Sequence, residues 1–138
     1  MKNKFVFSFL MFLFFVGLNN FLFAAQNDFY GTWIGSTSDH DGVYELKFTI
    51  SANILSLELI AIMNDGVSQT IDGKMDIIAW LATTNDDVST RNSFPNGYNL
   101  RLRREDGSIA SLQIHISDDK RQIIILGMID EAIICKKQ

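Results

Sequence analysis

The sequence offers almost nothing that could brace a fold from outside its own core. In 138 residues it holds one cysteine (Cys135), one proline (Pro95) and two histidines (His40 and His115). A single thiol cannot close an internal disulfide, so the folded state must rest on buried apolar surface and backbone hydrogen bonds. Cys135 reads as a small apolar residue of the last strand, the sharper alternative being an intermolecular disulfide. Paired cysteines, an HExxH helix, a nucleophile elbow and a glycine-rich phosphate loop are all missing. That leaves no constellation for catalysis, and an enzyme is not expected. No cofactor is implied. Past residue 25 there is also no apolar run of helical period, which excludes the helical classes.

The first 25 residues stand apart. Lys2 and Lys4 make a basic start, Phe5 to Val16 is an almost unbroken apolar run, and Ala24-Ala25 supplies small residues. This is the three-part plan of a secretory signal. The chain is therefore divided into a signal peptide over 1–25 and one domain over 26–138, exported to a periplasmic or extracellular compartment. The competing reading is a retained anchor, since Phe5 to Ala25 spans 21 residues, but Asn19 and Asn20 interrupt it. After cleavage no stable membrane span is expected. No cysteine lies near the junction, which argues against a lipid-modified lipoprotein. Eight of the eleven phenylalanines belong to this leader, and without it ten basic residues face sixteen acidic ones. So acidic a domain is a poor nucleic-acid binder. Most of the aspartates fall between apolar runs, where turn geometry explains them.

Alternation organises the remainder. The segment Phe29-Tyr30-Gly31-Thr32-Trp33-Ile34-Gly35 reads as a first strand, its glycine letting the backbone pass close to a neighbour while Trp33 plugs one end of a sheet. Val43 to Ser51 sets Tyr44, Leu46, Phe48 and Ile50 on one face; Ile54 to Met63 sets Leu55, Leu57, Leu59, Ala61 and Met63 on one face. Asn64-Asp65-Gly66 predicts a hairpin turn, Val67 to Ile71 a short strand, Asp72-Gly73 another turn and Met75 to Ala82 a further strand. Thr83 to Asn96 is a long polar loop. Tyr98 to Arg103, Ala110 to Ser117, Gln122 to Ile129 and Ala132 to Cys135 complete the chain, with turns at Glu105-Asp106-Gly107, Asp118-Asp119-Lys120 and Asp130-Glu131. Eight or nine short strands joined by tight turns predict an all-β fold, an antiparallel up-and-down barrel with a sandwich as the alternative. One pattern conflicts with a simple barrel: Ile60, Ile62, Ile78, Trp80, Ile124, Leu126 and Met128 are apolar on the outward face. Either a second layer such as a partner subunit covers them, or those strands face the other way.

Gly31-x-Trp33 on the first strand of an exported chain, followed by a meander, resembles the lipocalins and the wider calycin group, most of all short lipocalin-like domains of bacterial exported proteins. Gly31-Thr32-Trp33 also looks like the opening of avidin-type barrels. The resemblance covers Asn27 to the C-terminus. It implies a barrel open at one end that holds a small apolar ligand, and an arginine packed over the tryptophan; Arg121, Arg103 and Arg104 are the candidates. The Thr-Asp-Tyr motif of larger lipocalins and the tryptophan-lined avidin pocket have no counterpart, so transport and biotin binding do not carry over.

Two functions follow as expectations. In one, Tyr44, Phe48, Leu57, Leu59, Leu100 and Ile114 line a site for a small apolar ligand, with Thr83 to Asn96 as its lid. In the other, the same side chains fill the barrel, which works through its surface as an envelope protein-interaction module or an inhibitor of a secreted enzyme. Outward apolar faces would then serve a homodimer or a protein partner. No metal site is expected: adjacent ligands such as Asp39-His40-Asp41 rarely converge on one ion, and the triplet reads as a solvated loop. His115 falls on the polar face of its strand, where an exposed histidine is expected. Arg101, Arg103 and Arg104 read as an outer strand face, with a weak anion or membrane-headgroup site as the sharper alternative.

Overall fold

A computed structural model describes residues 24–128 and 132–138. The leader through residue 23 and the turn at Asp130-Glu131 lie outside the described residues. A 3-10 turn at Gln26–Phe29 precedes eight strands: β1 (Gly31–Ser38), β2 (Gly42–Ile50), β3 (Ile54–Met63), β4 (Ser68–Thr84), β5 (Asn96–Arg103), β6 (Ile109–Ile116), β7 (Gln122–Leu126) and β8 (Ile133–Lys137). Each pairs antiparallel with the next, and β8 returns to β1, closing an up-and-down barrel. The predicted class holds.

The alternating segments become strands with one buried face. Leu46, Phe48 and Ile50 of β2, Leu55 of β3, Leu100 and Leu102 of β5, Ile114 of β6 and Ile123 and Ile125 of β7 form one contiguous interior cluster. Glycines with positive φ sit where turns need them, Gly66 at 85° and Gly107 at 85°. Gly73 is not among them, and Asp72-Gly73 makes no turn. Residues Ser68 to Asp76 lie along β3 without a break, Gly73 opposite Leu57, so the two strands expected at 67–71 and 75–82 are one strand of 17 residues. The ten-residue β3 supplies a continuous template, and its ladder overrides the local turn preference of the Asp-Gly pair.

A second correction concerns β4. The register slips by one residue between Ile77 and Ala79. Such a bulge exchanges the two faces of a strand. Ile77 points inward before it, and after it Trp80 lies opposite the buried Leu100 and packs against the interior cluster. Trp80 is therefore an inward residue, while Ile78 stays 42% exposed.

Glycine plays a different part from the expected one in β1. Gly31 has φ 127°, a conformation that side-chain-bearing residues rarely adopt, and a Cβ there would meet only Lys137 Cε at 3.5 Å. The close approach belongs to Gly35, where a Cβ would lie 2.6 Å from Cys135 Sγ. Cys135 itself is fully buried, opposite Gly35 in the seam between β1 and β8. Burial pushes its thiol pKa up to about 12. Cys135 should therefore not react with a thiol reagent such as dithionitrobenzoate in the native protein at pH 8, and should react fully in denaturant; rapid native labelling would contradict this placement.

Candidate functional site

An up-and-down barrel has two ends of different construction. One end gathers the β2–β3, β4–β5 and β6–β7 connections together with the entering chain, and here it is closed by aromatic side chains. The 3-10 turn at Gln26–Phe29 carries Phe29 into full burial, and the Trp33 indole N–H donates to the Phe29 carbonyl at 2.8 Å. The Phe29 ring meets Tyr98 edge-on at 5.6 Å, Tyr98 meets Trp80 at 5.3 Å, and Tyr30 meets Trp80 at 6.0 Å. Each polar handle finds an acceptor: Tyr98 donates its hydroxyl to the Ala24 carbonyl at 2.8 Å, and Trp80 its indole N–H to the Ala52 carbonyl at 2.9 Å. Burial raises the Tyr98 pKa, with the Asp28 carboxylate adding to it. Lys120 Nζ reaches Asp28 Oδ2 at 3.3 Å and ties the turn to the β6–β7 connection.

The cation over Trp33 is Lys137, its Nζ 5.4 Å from the ring. None of the expected arginines holds that place. Arg121 is exposed and contributes only its carbonyl, which accepts the Lys137 N–H at 2.8 Å; Arg104 bonds Ser108 in its own turn. Gln122 pairs with Lys136 across β7 and β8, which is why the end of the chain sits beside Arg121.

The predicted lining residues all face inward but divide into two groups. Phe48, Leu100 and Ile114 are at most 1% exposed, inside the interior cluster. Leu57 and Leu59 are only partly buried, and Tyr44 is half-buried at the other end, with its hydroxyl 3.3 Å from Asp39 Oδ1. Two residues that sequence reasoning did not assign to the lining join Leu57 and Leu59 through the β3–β4 register. Ile71 lies opposite Leu59 and Met75 opposite Leu55. Met75 is partly buried, whereas Ile71 is 56% exposed. Gly73, opposite Leu57, adds no side chain to the row. The result is an apolar ledge that runs from the packed interior up the inner face of β3 and β4. Reading Asp72-Gly73 as a turn hid it.

The long connection between β4 and β5 is at the aromatic end, so it cannot act as a lid over the ledge. It is a compact loop built on Asn85, which is 1% exposed. The Asn85 amide donates to Thr90 Oγ1 at 2.9 Å and to the Phe94 carbonyl at 3.1 Å, and its Oδ1 accepts the Asp87 N–H at 2.9 Å. Asp87 in turn accepts from Ser89 and Thr90, and the Ser89 hydroxyl bond is the main reason its pKa is lowered.

Not every residue on the outer side of the wall is exposed. His115 and Ile124 face each other on the outer side of β6 and β7, yet both are fully buried. Phe94 is also buried, outside the interior cluster, and Asp86 lies close enough to act on the His115 charge. The connection thus brings Asp86 to the outer side of β6 near His115. Met128, after Gly127 with φ 92°, packs against the interior cluster; Ile62 remains 46% exposed.

Asp39-His40-Asp41 brings three ligand-type atoms within 4.8 Å, all on exposed residues. The Asp39 carboxylate is committed to the turn, accepting N–H bonds from Asp41 at 2.8 Å and Gly42 at 3.1 Å. The Asp41 bond is the main cause of its lowered pKa. No helix among the described residues is long and apolar enough to cross a membrane. Comparisons with protein-family models, curated proteins and solved structures found no match.

The covered histidine makes stability depend on pH. Burial lowers the His115 pKa from 6.5, partly opposed by Asp86, and His115 Nδ1 has no hydrogen-bond partner among the described residues. The folded form then stays neutral where the unfolded chain takes up a proton. Its contribution is complete above pH 6.5 and is lost as pH falls below that value. The melting temperature of the native protein should drop between pH 7.5 and 5.5 more steeply than that of His115→Gln. Equal slopes would mean that the buried imidazole is not responsible.

Proposed function

We propose that the chain is exported as a lipocalin-like barrel and binds a small apolar molecule on the ledge of Leu57, Leu59, Ile71 and Met75, not deep in the barrel. The observation that carries this reading is the contrast along the inner face. Phe48, Leu100 and Ile114 are completely buried in a packed cluster above the aromatic closure, while the ledge keeps inward apolar side chains in reach of solvent, with Ile71 56% exposed. Inward apolar surface left open is the usual material of a ligand site in a barrel. At about 25 cal/mol per Å², covering roughly 200 Å² of such surface contributes about 5 kcal/mol before the entropy cost of holding the ligand is subtracted, so binding is weak. The ligand is therefore held by shape and apolar area more than by specific polar contacts.

The same burial favours a second reading, a filled barrel that works through its surface. Export is supported by Lys2, Lys4, the apolar run from Phe5 and the small pair Ala24-Ala25. Produced in a secretion-competent host, the protein should be recovered outside the cytoplasm with an intact mass lacking the leader; the full-length mass retained with membranes would overturn export.

Binding is tested with the apolar fluorophore phenylnaphthylamine. Its emission should rise on addition of the protein, and Leu59→Lys should weaken the probe about tenfold while leaving the melting temperature close to native. Ile62→Lys, on the outer face of the same strand, should leave the affinity unchanged. No enhancement by the native protein, or equal effects of both substitutions, would remove the ledge as a site and leave the filled-barrel reading.

A further inference from the structure

One strand is left half-paired by the closure of the barrel. β4 pairs with β3 over Ser68 to Asp76, but with β5 only from Asp76 to Thr84. Among the described residues no strand lies along the other edge of Ser68 to Met75. The direction of its backbone groups can be read from the two ends of the β3–β4 ladder. The Ile77 N–H donates to the Asn53 carbonyl at 2.8 Å, and the Met63 N–H to the Val67 carbonyl at 2.9 Å. Odd-numbered residues of β4 therefore turn their N–H and C=O towards β3. In an antiparallel strand the alternate residues point the other way, so Ser68, Thr70, Asp72 and Lys74 present free backbone donors and acceptors at the edge.

The side chains along this edge are arranged unevenly. Asp72 lies directly opposite Glu58 on β3, a like-charge pair, and the cation facing Glu58 is Lys47 on its other side, on β2, which leaves Asp72 without a directly facing cation of its own. Lys74 lies opposite Ser56. Neither Asp72 nor Lys74 belongs to an ion pair among the described residues. On the inner face the edge shows Ile71 and Met75, with Gly73 between them. Asp72, Gly73 and Lys74 also line an open groove of about 530 Å³ that extends to Glu105 on the β5–β6 turn.

We propose that a second copy of this chain occupies the edge, the two β4 strands pairing antiparallel about a two-fold axis at Gly73. That register sets Asp72 of each copy against Lys74 of the other, twice over, and Ile71 against Met75, also twice. The aspartate that faces Glu58 gains its cation. Asp72 and Lys74 are the residues whose backbone groups point outward, so each facing pair exchanges both N–H···O=C bonds, as a hydrogen-bonded antiparallel pair does. Other symmetric registers are poorer. An axis at Asp72 places the two Asp72 carboxylates against each other, and an axis at Ile71 sets Asp72 against Thr70 and Lys74 against Ser68. The ladder ends at Met75 because Arg103 already fills the place opposite Asp76. So short a ladder makes a reversible dimer whose population rises with concentration. This is strand addition between identical edges, giving a closed two-fold assembly with no tendency to propagate.

Charge reversal tests it, read by sedimentation velocity over a wide concentration range. The native protein should show a concentration-dependent monomer–dimer equilibrium. Asp72→Lys sets two lysines against two lysines, and Lys74→Asp two aspartates against two aspartates, so each variant alone should remain monomeric. Mixed together they should form a heterodimer, because the two lysines on the edge of one variant then face the two aspartates on the edge of the other. The double variant D72K/K74D should dimerise like the native protein, which guards against a single variant that fails to fold. A native protein that stays monomeric at every concentration, single variants that dimerise like the native chain, or a mixture that stays monomeric would each overturn the proposal.

Discussion

The barrel is held shut by a seam of three residue pairs, Trp33 with Lys137, Ile34 with Lys136 and Gly35 with Cys135. Every other strand pairing is with a sequence neighbour; this one joins the first strand to the last. Its shortness explains the care with which it is packed. Gly35 has no side chain because the Cys135 sulfur and the Ile134 carbonyl occupy that space. Lys137 extends over the Trp33 ring, and the Gln138 N–H donates to the Thr32 carbonyl at 2.9 Å. With no disulfide available, loss of this seam would expose the edges of both β1 and β8 together with the interior cluster.

Closure also explains where the chain is crowded and where it is open. The same end that receives the β1 entry and the end of β8 collects Phe29, Trp33, Trp80 and Tyr98; the two indoles donate to the carbonyls of Phe29 and Ala52, and in the uncleaved chain the Tyr98 hydroxyl donates to that of Ala24. An aromatic floor of this kind needs no further lid, and the long β4–β5 connection at the same end brings Asp86 near His115 on the outer side of β6. At the far end, among the described residues, no comparable aromatic cluster covers the apolar side chains. Leu57, Leu59, Ile71 and Met75 lie where β3 and the first half of β4 extend together, and their partial exposure is a consequence of that extension.

The proposed ligand site and the proposed self-association both trace to one feature, the excess length of β4 over β5. Its inner face supplies the ledge and its free backbone edge supplies a docking strand. Natural sheets commonly blunt such edges with charge. Here the two charges, Asp72 and Lys74, are of opposite sign two residues apart, the arrangement on which the proposed pairing with a second copy rests.

The sequence by itself determined the class, the strand count to within one, the inward faces of β2, β3, β5 and β6, and most of the tight turns. Those properties follow from alternation and from residues such as Gly66 and Gly107 that only a turn can use, and both are local. Of the six proposed lining residues, all were legible as inward, but not which were packed solid. Only the tertiary structure decided that Asp72-Gly73 continues a strand, because the β3 ladder outweighs a dipeptide's turn preference. It alone set Trp80 inside, since a one-residue bulge reverses a face without any signature in composition. It placed Lys137 over Trp33 and the Thr83 to Asn96 segment at the aromatic end, because both depend on which distant strands become neighbours when the sheet closes.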